Sequence, residues 1–393
     1  MKCLSLFSGA GGLDLGLEAA GFQIFASIEL DADCCETLRL NQRGGVIQSA
    51  VGKVDLEKTL SETKIDVVVG GPPCQPFSKS AQWTRKGARG LADPRTQTIA
   101  DFIEVISRVK PKAFILENVE GFDKLGGTDA LQAGLARLRV AGLHYTLSHK
   151  ILNGADFGAP QKRKRFFAVG ILGEKKFDFP TPTHGADLTK FMTAWDALSG
   201  RTALTDPTEC LKIKGRWANL LPSIPPGKNY LWHTNRGGGE ALFGWRTRYW
   251  SFLYKLSPDE PSPTIVANPP QNAGPFHWEN RLLSTAELAA IQTFPSGYKF
   301  FGERASRQRQ IGNAVPPLLA EHIGKALMAQ LSRTPTTTIR HAIKPAKGKP
   351  VVPLIEAVPP SFKTLIGNHA DHPGTGLGPK PRDVAMPQLV TSP

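Results

Sequence analysis

Over residues 1 to about 175, near-continuous apolar runs alternate with segments whose apolar residues recur at helical spacing, and this limits the possible folds most. The apolar runs are LSLF (4–7), IFASIE (24–29), IDVVVGG (65–71), AFILENV (113–119), YTLSHKIL (145–152) and RFFAVGI (165–171). Between them, 13–20, 31–41, 95–109 and 128–141 carry the helical pattern, as in Ile99, Phe102, Ile103, Ile106 and Val109. Strands without polar alternation must be buried on both faces. The pattern therefore predicts an α/β domain with a mostly parallel sheet and helices on both sides.

The texture changes between about 180 and 280. Pro and Gly clusters dominate (PTPTH at 180–184, PSIPPG at 222–227, GGG at 237–239), and six of the seven tryptophans fall here. Basic residues interleave with the rings, as in Trp245-Arg246-Thr247-Arg248-Tyr249-Trp250. This reads as a smaller irregular module whose rings are shared between its own core and nucleic-acid contact. Helical periodicity returns over 281–333, opened by the capping-box pattern Ser284-Thr285-Ala286-Glu287. Residues 334–393 are rich in Pro, Thr and Lys without a period and read as a disordered basic tail. The domain expectation is thus 1–179 with 281–333 as one unit, 180–280 as a second, and the tail.

The chain carries 48 Lys and Arg against 34 Asp and Glu, a net charge of +14. The tail holds only +4 of it (seven basic, three acidic), so the excess belongs to the folded part and favours an anionic partner, nucleic acid first. No stretch has the roughly 18 uncharged apolar residues of a membrane helix. The five cysteines at 3, 34, 35, 74 and 210 form neither CxxC pairs nor zinc spacing, which suits a reducing cytoplasm.

Four segments carry chemistry. Strand LSLF runs into Ser8-Gly9-Ala10-Gly11-Gly12 and a helix, and Glu29 lies 20 residues beyond Gly9. Glycines there let backbone approach a ligand, and the acid can take ribose hydroxyls. A dinucleotide is the competing ligand, but its third Gly is replaced by Asp14, which suits a cationic ligand such as S-adenosylmethionine. After strand IDVVV comes Gly70-Gly71-Pro72-Pro73-Cys74-Gln75-Pro76-Phe77-Ser78, with a cysteine aimed by flanking prolines at the end of a buried strand. The next strand ends in Glu117-Asn118-Val119. A thiolate beside a carboxyl suits addition to an electron-poor ring that the acid protonates. In Gln161-Lys162-Arg163-Lys164-Arg165, strand alternation puts Arg163 and Arg165 on one face and the lysines on the other.

Together these segments resemble the DNA (cytosine-5)-methyltransferases of bacterial restriction-modification systems. The resemblance rests on LFSGAGGLDLGLEAAGF (6–22), GGPPCQPFS (70–78), ENVEGF (117–122), QKRKRFFAVG (161–170), RLLSTAELAAIQTFP (281–295) and RQIGNAVPPLLAEHIGKAL (309–327), in the family's order over about 1–330. It implies a Rossmann-like methyltransferase domain, S-adenosyl-L-methionine as methyl donor, and a target-recognition region in the 180–280 module. Phe7, Gly9, Gly11, Gly12, Leu13 and Pro73 would line the cofactor pocket, with Glu29 on the ribose and Asn313 completing it. Cys74 would add to cytosine C6, Glu117 would stabilise protonated N3, and Arg163 and Arg165 would hold a nucleotide flipped from the duplex. Gln75, Ser78, Arg85, Arg89, Arg246, Arg248 and Thr264 would touch DNA, the loop 79–94 closing over it.

One departure stands out. Where the family has Gly-Asp-Ile, with the Asp reading the adenine amino group, this chain has Gly52-Lys53-Val54-Asp55. Either Asp55 serves, or adenine is held otherwise. A monomer is expected, since placing one methyl on one strand needs no two-fold symmetry, and the resemblance allows a restriction endonuclease acting on the same site without direct contact. An RNA cytosine-5 methyltransferase, and a DNA-binding homologue without activity, are the alternatives.

Overall fold

The computed structural model describes residues 1–42, 44–73, 97–199, 208–245, 249–333 and 338–366. The first part alternates as its apolar runs require: β1 (Lys2–Leu6), α1 (Gly12–Ala19), β2 (Gln23–Glu29), α2 (Ala32–Leu40), β3 (Val46–Gln48), α3 (Leu56–Leu60), β4 (Val67–Gly70), α4 (Gln97–Val109) and β5 (Ala113–Val119). Then come α5 (Gly121–Lys124), α6 (Gly127–Val140), β6 (Tyr145–Asn153), β7 (Gln161–Lys162) and β8 (Lys164–Leu172).

Seven strands form one sheet in the order β3-β2-β1-β4-β5-β8-β6. The pairs from β3 to β5 are parallel, while β8 runs antiparallel to both β5 and β6. Apolar clusters cover both faces: α4 and α6 supply Phe102, Ile106, Leu131 and Leu135 to one, and α1 supplies Leu13 and Leu17 to the other. Strand order reverses between β1 and β4, and open α/β sheets bind ligands in the crevice at the carboxyl ends of such a pair.

The rest of the chain adds α7 (Ala194–Leu198), β9 (Ser262–Pro263), α8 (Thr285–Ile291), α9 (Arg304–Asn313), α10 (Pro317–Ser332) and α11 (Pro360–Lys363). Ser284 and Glu287 form the reciprocal cap of α8 that their spacing predicts. Helix α10 packs on α1 through Leu319, Ala320 and Ile323, returning the C-terminal helices to the sheet. The irregular module has its own core of Ile213, Leu220, Leu221, Ile224, Tyr230, Leu242, Leu253 and Phe276. Strands β7 and β9 pair in parallel, tying the module's exit to the sheet.

Part of the tail departs from its compositional reading. Residues 338–366 lie against the protein, with Val358 and Phe362 buried in the module's core. Apolar side chains at 358, 362 and 365 supply enough burial to order a stretch whose Pro and Lys content alone suggests disorder. No helix among the described residues is long and apolar enough to cross a membrane.

Candidate active site

Three strand ends converge at the switch point. Leu6 pairs with Gly70, and Gly70 with Leu116, so the glycine loop, the Gly71-Pro72-Pro73 turn and Glu117 emerge side by side. Asn118 fixes the middle loop, donating from Nδ2 to the Pro72 carbonyl at 3.1 Å. A Cβ on Gly71 would stand 2.9 Å from Glu117 Oε2, so a side chain here would force the turn or the carboxylate to shift. Cys74 follows Pro73 directly in sequence. Cys74, Gln75, Ser78, Arg85 and Arg89 lie outside the described residues, as do Arg246 and Arg248.

Glu117 is buried, and Arg165 Nε approaches its Oε1 at 3.0 Å. The register explains the pair. Val119 faces Arg165 across the antiparallel strands, so Glu117 and Arg165 are diagonal neighbours within reach of long side chains. Burial raises the Glu117 pKa above its ordinary value, against the opposing pull of Arg165 and Arg163.

The alternation predicted for 161–165 is present: Gln161 and Arg163 are buried, Arg165 is largely covered, and Lys162 and Lys164 are exposed. The sequence assigns Arg163 and Arg165 one shared task, and the structure divides it. Arg163 is fully buried and donates to the carbonyls of Ile265 (3.1 Å) and Gly312 (2.6 Å). Its guanidinium therefore bolts the sheet to the module's exit and to the end of α9. Gln161 reinforces the joint, accepting from Ile265 N at 3.2 Å and donating to Gln292 at 2.5 Å. Thr264 Oγ1 donates to the Lys162 carbonyl at 2.8 Å.

On the other side of the crevice, Phe7, Gly9 and Gly11 all have positive φ (53°, 54° and 77°). Gly12 and Leu13 open α1. Glu29 closes the loop: Oε2 accepts from Gly9 N at 2.7 Å, and Oε1 from Leu30 N and Asp31 N at 2.8 Å each. A Cβ on Gly9 would meet nothing within 4 Å, leaving open space over the turn. Asn313 ends α9, exposed, beside the Ala314-Val315 backbone against which Gly12 packs. Tyr298 adds a contact the sequence did not signal, donating from its hydroxyl to the Ala10 carbonyl at 2.8 Å.

Two acids make structural contacts that their sequence positions do not indicate. Asp14 is fully buried and accepts from Ser5 Oγ (2.6 Å) and Ser27 Oγ (2.9 Å), so it braces α1 against β1 and β2 rather than facing a cationic ligand. Asp55 is exposed and caps α3, accepting from Lys58 N at 3.1 Å. The carboxylate beside the Gly52-Lys53 turn is instead that of Asp101 on α4: its Oδ1 lies 2.9 Å from a Cβ built on Gly52. Sequence reading missed it because α4 is remote in the chain and Asp101 belongs to no loop motif.

In the module, Arg216 lies over Trp217 (4.3 Å) and Arg236 over Trp245 (4.2 Å), both cation–π distances. Tyr249 and Trp250 are about half exposed (50% and 49%), whereas Trp278 is buried, so the rings divide between surface and core. Among the described residues, no group of three or more His, Cys, Asp or Glu side chains is placed to hold a metal ion.

A doubly wound sheet whose Gly71-Pro72-Pro73 turn and buried Glu117 meet at the switch point defines a class, and known proteins of that class resemble this chain. Residues 1–329 match the family model of the C-5 cytosine-specific DNA methylases, and the chain belongs to that family; it is a DNA (cytosine-5)-methyltransferase. It is similar to the Type II methyltransferase M.SacI of Streptomyces achromogenes, at 37% identity over 84% of this chain and 93% of that protein. It is also similar to the Type II methyltransferase M1.HphI of Haemophilus parahaemolyticus, at 32% identity over 83% of this chain and 86% of that protein. Among solved structures, the S. pombe Dnmt2 methyltransferase shares the fold with a TM-score of 0.58, at 18% identity over 85% of this chain and all of that one.

Proposed function

We propose that the protein transfers a methyl group from S-adenosyl-L-methionine to C5 of a cytosine extruded from duplex DNA, through a covalent adduct on Cys74. The observation that carries this reading is the approach of the Gly71-Pro72-Pro73 turn to Glu117, which aligns the loop that leads into Cys74 with a buried carboxyl.

The shape of the crevice supports this cofactor. Open space over Gly9, positive φ at three loop residues and an acid at the end of β2 fit a nucleoside-bearing sulfonium. Phe7, Gly9, Gly11, Gly12, Leu13, Pro73 and Asn313 would line it, with Glu29 towards the ribose. Asp101, beside the Gly52-Lys53 turn, is better placed than Asp55 to accept from the adenine amino group, because the Asp55 carboxylate already caps α3. When bound, S-adenosyl-L-methionine supplies an electrophilic methyl carbon.

The chain's residues supply the rest. The Cys74 thiolate donates its electron pair to C6, and the C5–C6 π pair moves onto C5 as N3 takes a proton from Glu117. Burial keeps that proton on Glu117 to higher pH than an exposed carboxyl would, and Arg165 holds the carboxyl in place. C5 takes up the methyl group, its proton leaves to a base, the sulfur is expelled as thiolate and N3 returns its proton. Arg163 acts by position, since its guanidinium holds Ile265 and Gly312. C6 is out of reach in a stacked duplex, so the base must leave the helix.

Thr264, Arg246 and Arg248 of the module, and Gln75, Ser78, Arg85 and Arg89 after the nucleophile, are the proposed DNA contacts. The likeness to Type II methyltransferases supports a role as the modification half of a restriction-modification system. A cytoplasmic monomer acting on a site shared with an endonuclease completes the proposal, since placing one methyl on one strand needs no two-fold symmetry. Labelled methyl transfer to unmethylated duplex DNA, with structured RNA in parallel, tests the reading. Label at cytosine C5 of DNA alone is expected, and label on RNA alone would replace DNA as the substrate.

A further inference from the structure

We propose that residues 338–366 are an intramolecular clamp that positions the recognition module on the catalytic sheet and so sets affinity for duplex DNA. The inference rests on the methyltransferase reading above and goes beyond it, since this segment lies outside the matched residues 1–329.

The clamp has three anchors. On the catalytic side, Glu321 of α10 is fully buried and accepts from Arg340 N (2.5 Å), His341 N (2.8 Å), His341 Nδ1 (2.8 Å) and Lys325 Nζ (2.8 Å). These donors hold its pKa at about 2, against the upward push of burial. In the middle, Ala346 N donates to Asp196 Oδ1 of α7 at 2.7 Å, and Trp195 Nε1 donates to the Gly348 carbonyl at 3.3 Å. At the module, Glu356 N donates to the Pro222 carbonyl at 3.2 Å. Val358 and Phe362 complete the module's core, with the Phe362 ring stacked on Trp217 at 5.7 Å and 24°.

Between the last two anchors the segment is not held by its side chains: Val351 is 84% and Leu354 91% exposed. A stretch packed for its own stability would bury these. What the segment does instead is join two bodies. Helix α10 belongs to the sheet through its packing on α1, and Trp217 belongs to the module. A duplex must meet the catalytic crevice and the module at once. Holding the two in register makes the second contact effectively intramolecular, so loosening the clamp lowers effective concentration without touching the chemistry.

The test compares the wild type with Glu321→Gln, Phe362→Ala and a chain ending at Arg333. It measures duplex affinity by fluorescence anisotropy, kcat at saturating DNA, KM for S-adenosyl-L-methionine and thermal unfolding. Truncation is expected to weaken duplex binding at least about tenfold, with kcat and cofactor KM within about twofold. Each point variant should lie between, and a synthetic peptide of residues 338–366 should restore the truncated chain. Unchanged duplex affinity in the truncated chain overturns the proposal. So does a matching loss of kcat, cofactor binding and unfolding temperature, which would make the segment a general stabiliser. A wild type that binds duplex but does not methylate it would refute the methyltransferase reading alone, since the anisotropy comparison would still stand.

Discussion

Arg165 Nε sits 3.0 Å from Glu117 Oε1 across two antiparallel strands, and this ion pair lies one residue beyond the level at which Gly70 pairs with Leu116. The acid proposed to protonate cytosine is thus oriented by a strand that enters the sheet out of sequence order. Removing the guanidinium would leave a buried carboxyl without its nearest cation, raising its pKa further and freeing its rotamer. Arg165→Met is expected to lower kcat by about 100-fold with little change in KM for S-adenosyl-L-methionine, measured by steady-state methyl transfer.

Gly71 offers a sharper steric test. A methyl group there would meet Glu117 Oε2 at 2.9 Å, a distance real Cβ atoms do not tolerate, so loop or carboxylate must shift. Gly71→Ala is expected to lose at least about tenfold in kcat while binding the cofactor normally, because misplacement of reacting groups by a fraction of an ångström is costly. Equal kcat in the variant would show that the loop and Glu117 need not meet.

The titration of Glu117 gives a prediction independent of activity. Burial raises its folded-state pKa above the usual value of 4.5. Such a carboxyl contributes stability that is fully present below its unfolded pKa and is lost as pH rises through the folded value. Glu117→Gln cannot ionise. Its unfolding temperature should therefore rise relative to wild type as pH increases from about 4 to about 7, with the smallest difference at the acid end. Thermal melts across that range check the sign, and the opposite slope would mean that Arg165 outweighs burial.

Asp101 and Asp55 separate cleanly by mutation. Asp101→Ala is expected to raise the dissociation constant for S-adenosyl-L-methionine by about tenfold, read by calorimetry, because an adenine amino group would lose its acceptor. Asp55→Ala should cost about 1 kcal/mol of stability as a lost helix cap and leave cofactor binding unchanged. A reversed pattern would return the adenine to Asp55.

The strands were legible because burial on both faces leaves an unbroken apolar signal, and Val67-Val68-Val69 and Phe114-Ile115-Leu116 are all fully buried. Periodicity carries no direction, however, so the antiparallel insertion of β8 between β5 and β6 could not be read. Glu117 was legible from its place at a strand end. The fate of Asp14 was not, because the hydroxyls that claim it, Ser5 and Ser27, sit on two different strands. The anchoring of Arg163 was hidden for the same reason: its partners, Ile265 and Gly312, are 102 and 149 residues away. In 338–366, composition masked a few apolar anchors among prolines and lysines. Disorder is read from averages, whereas docking needs only Val358, Phe362 and one buried carboxylate on α10.

The most direct test of the account is methyl transfer by the wild type and Cys74→Ala, run on duplex DNA in which the target cytosines carry fluorine at C5. A fluorine cannot leave as the proton does, so wild-type protein is expected to be trapped on the DNA as a denaturation-resistant complex, and Cys74→Ala to give none. Methyl transfer to ordinary DNA by Cys74→Ala at the wild-type rate, or a trapped complex that persists in the variant, would contradict it.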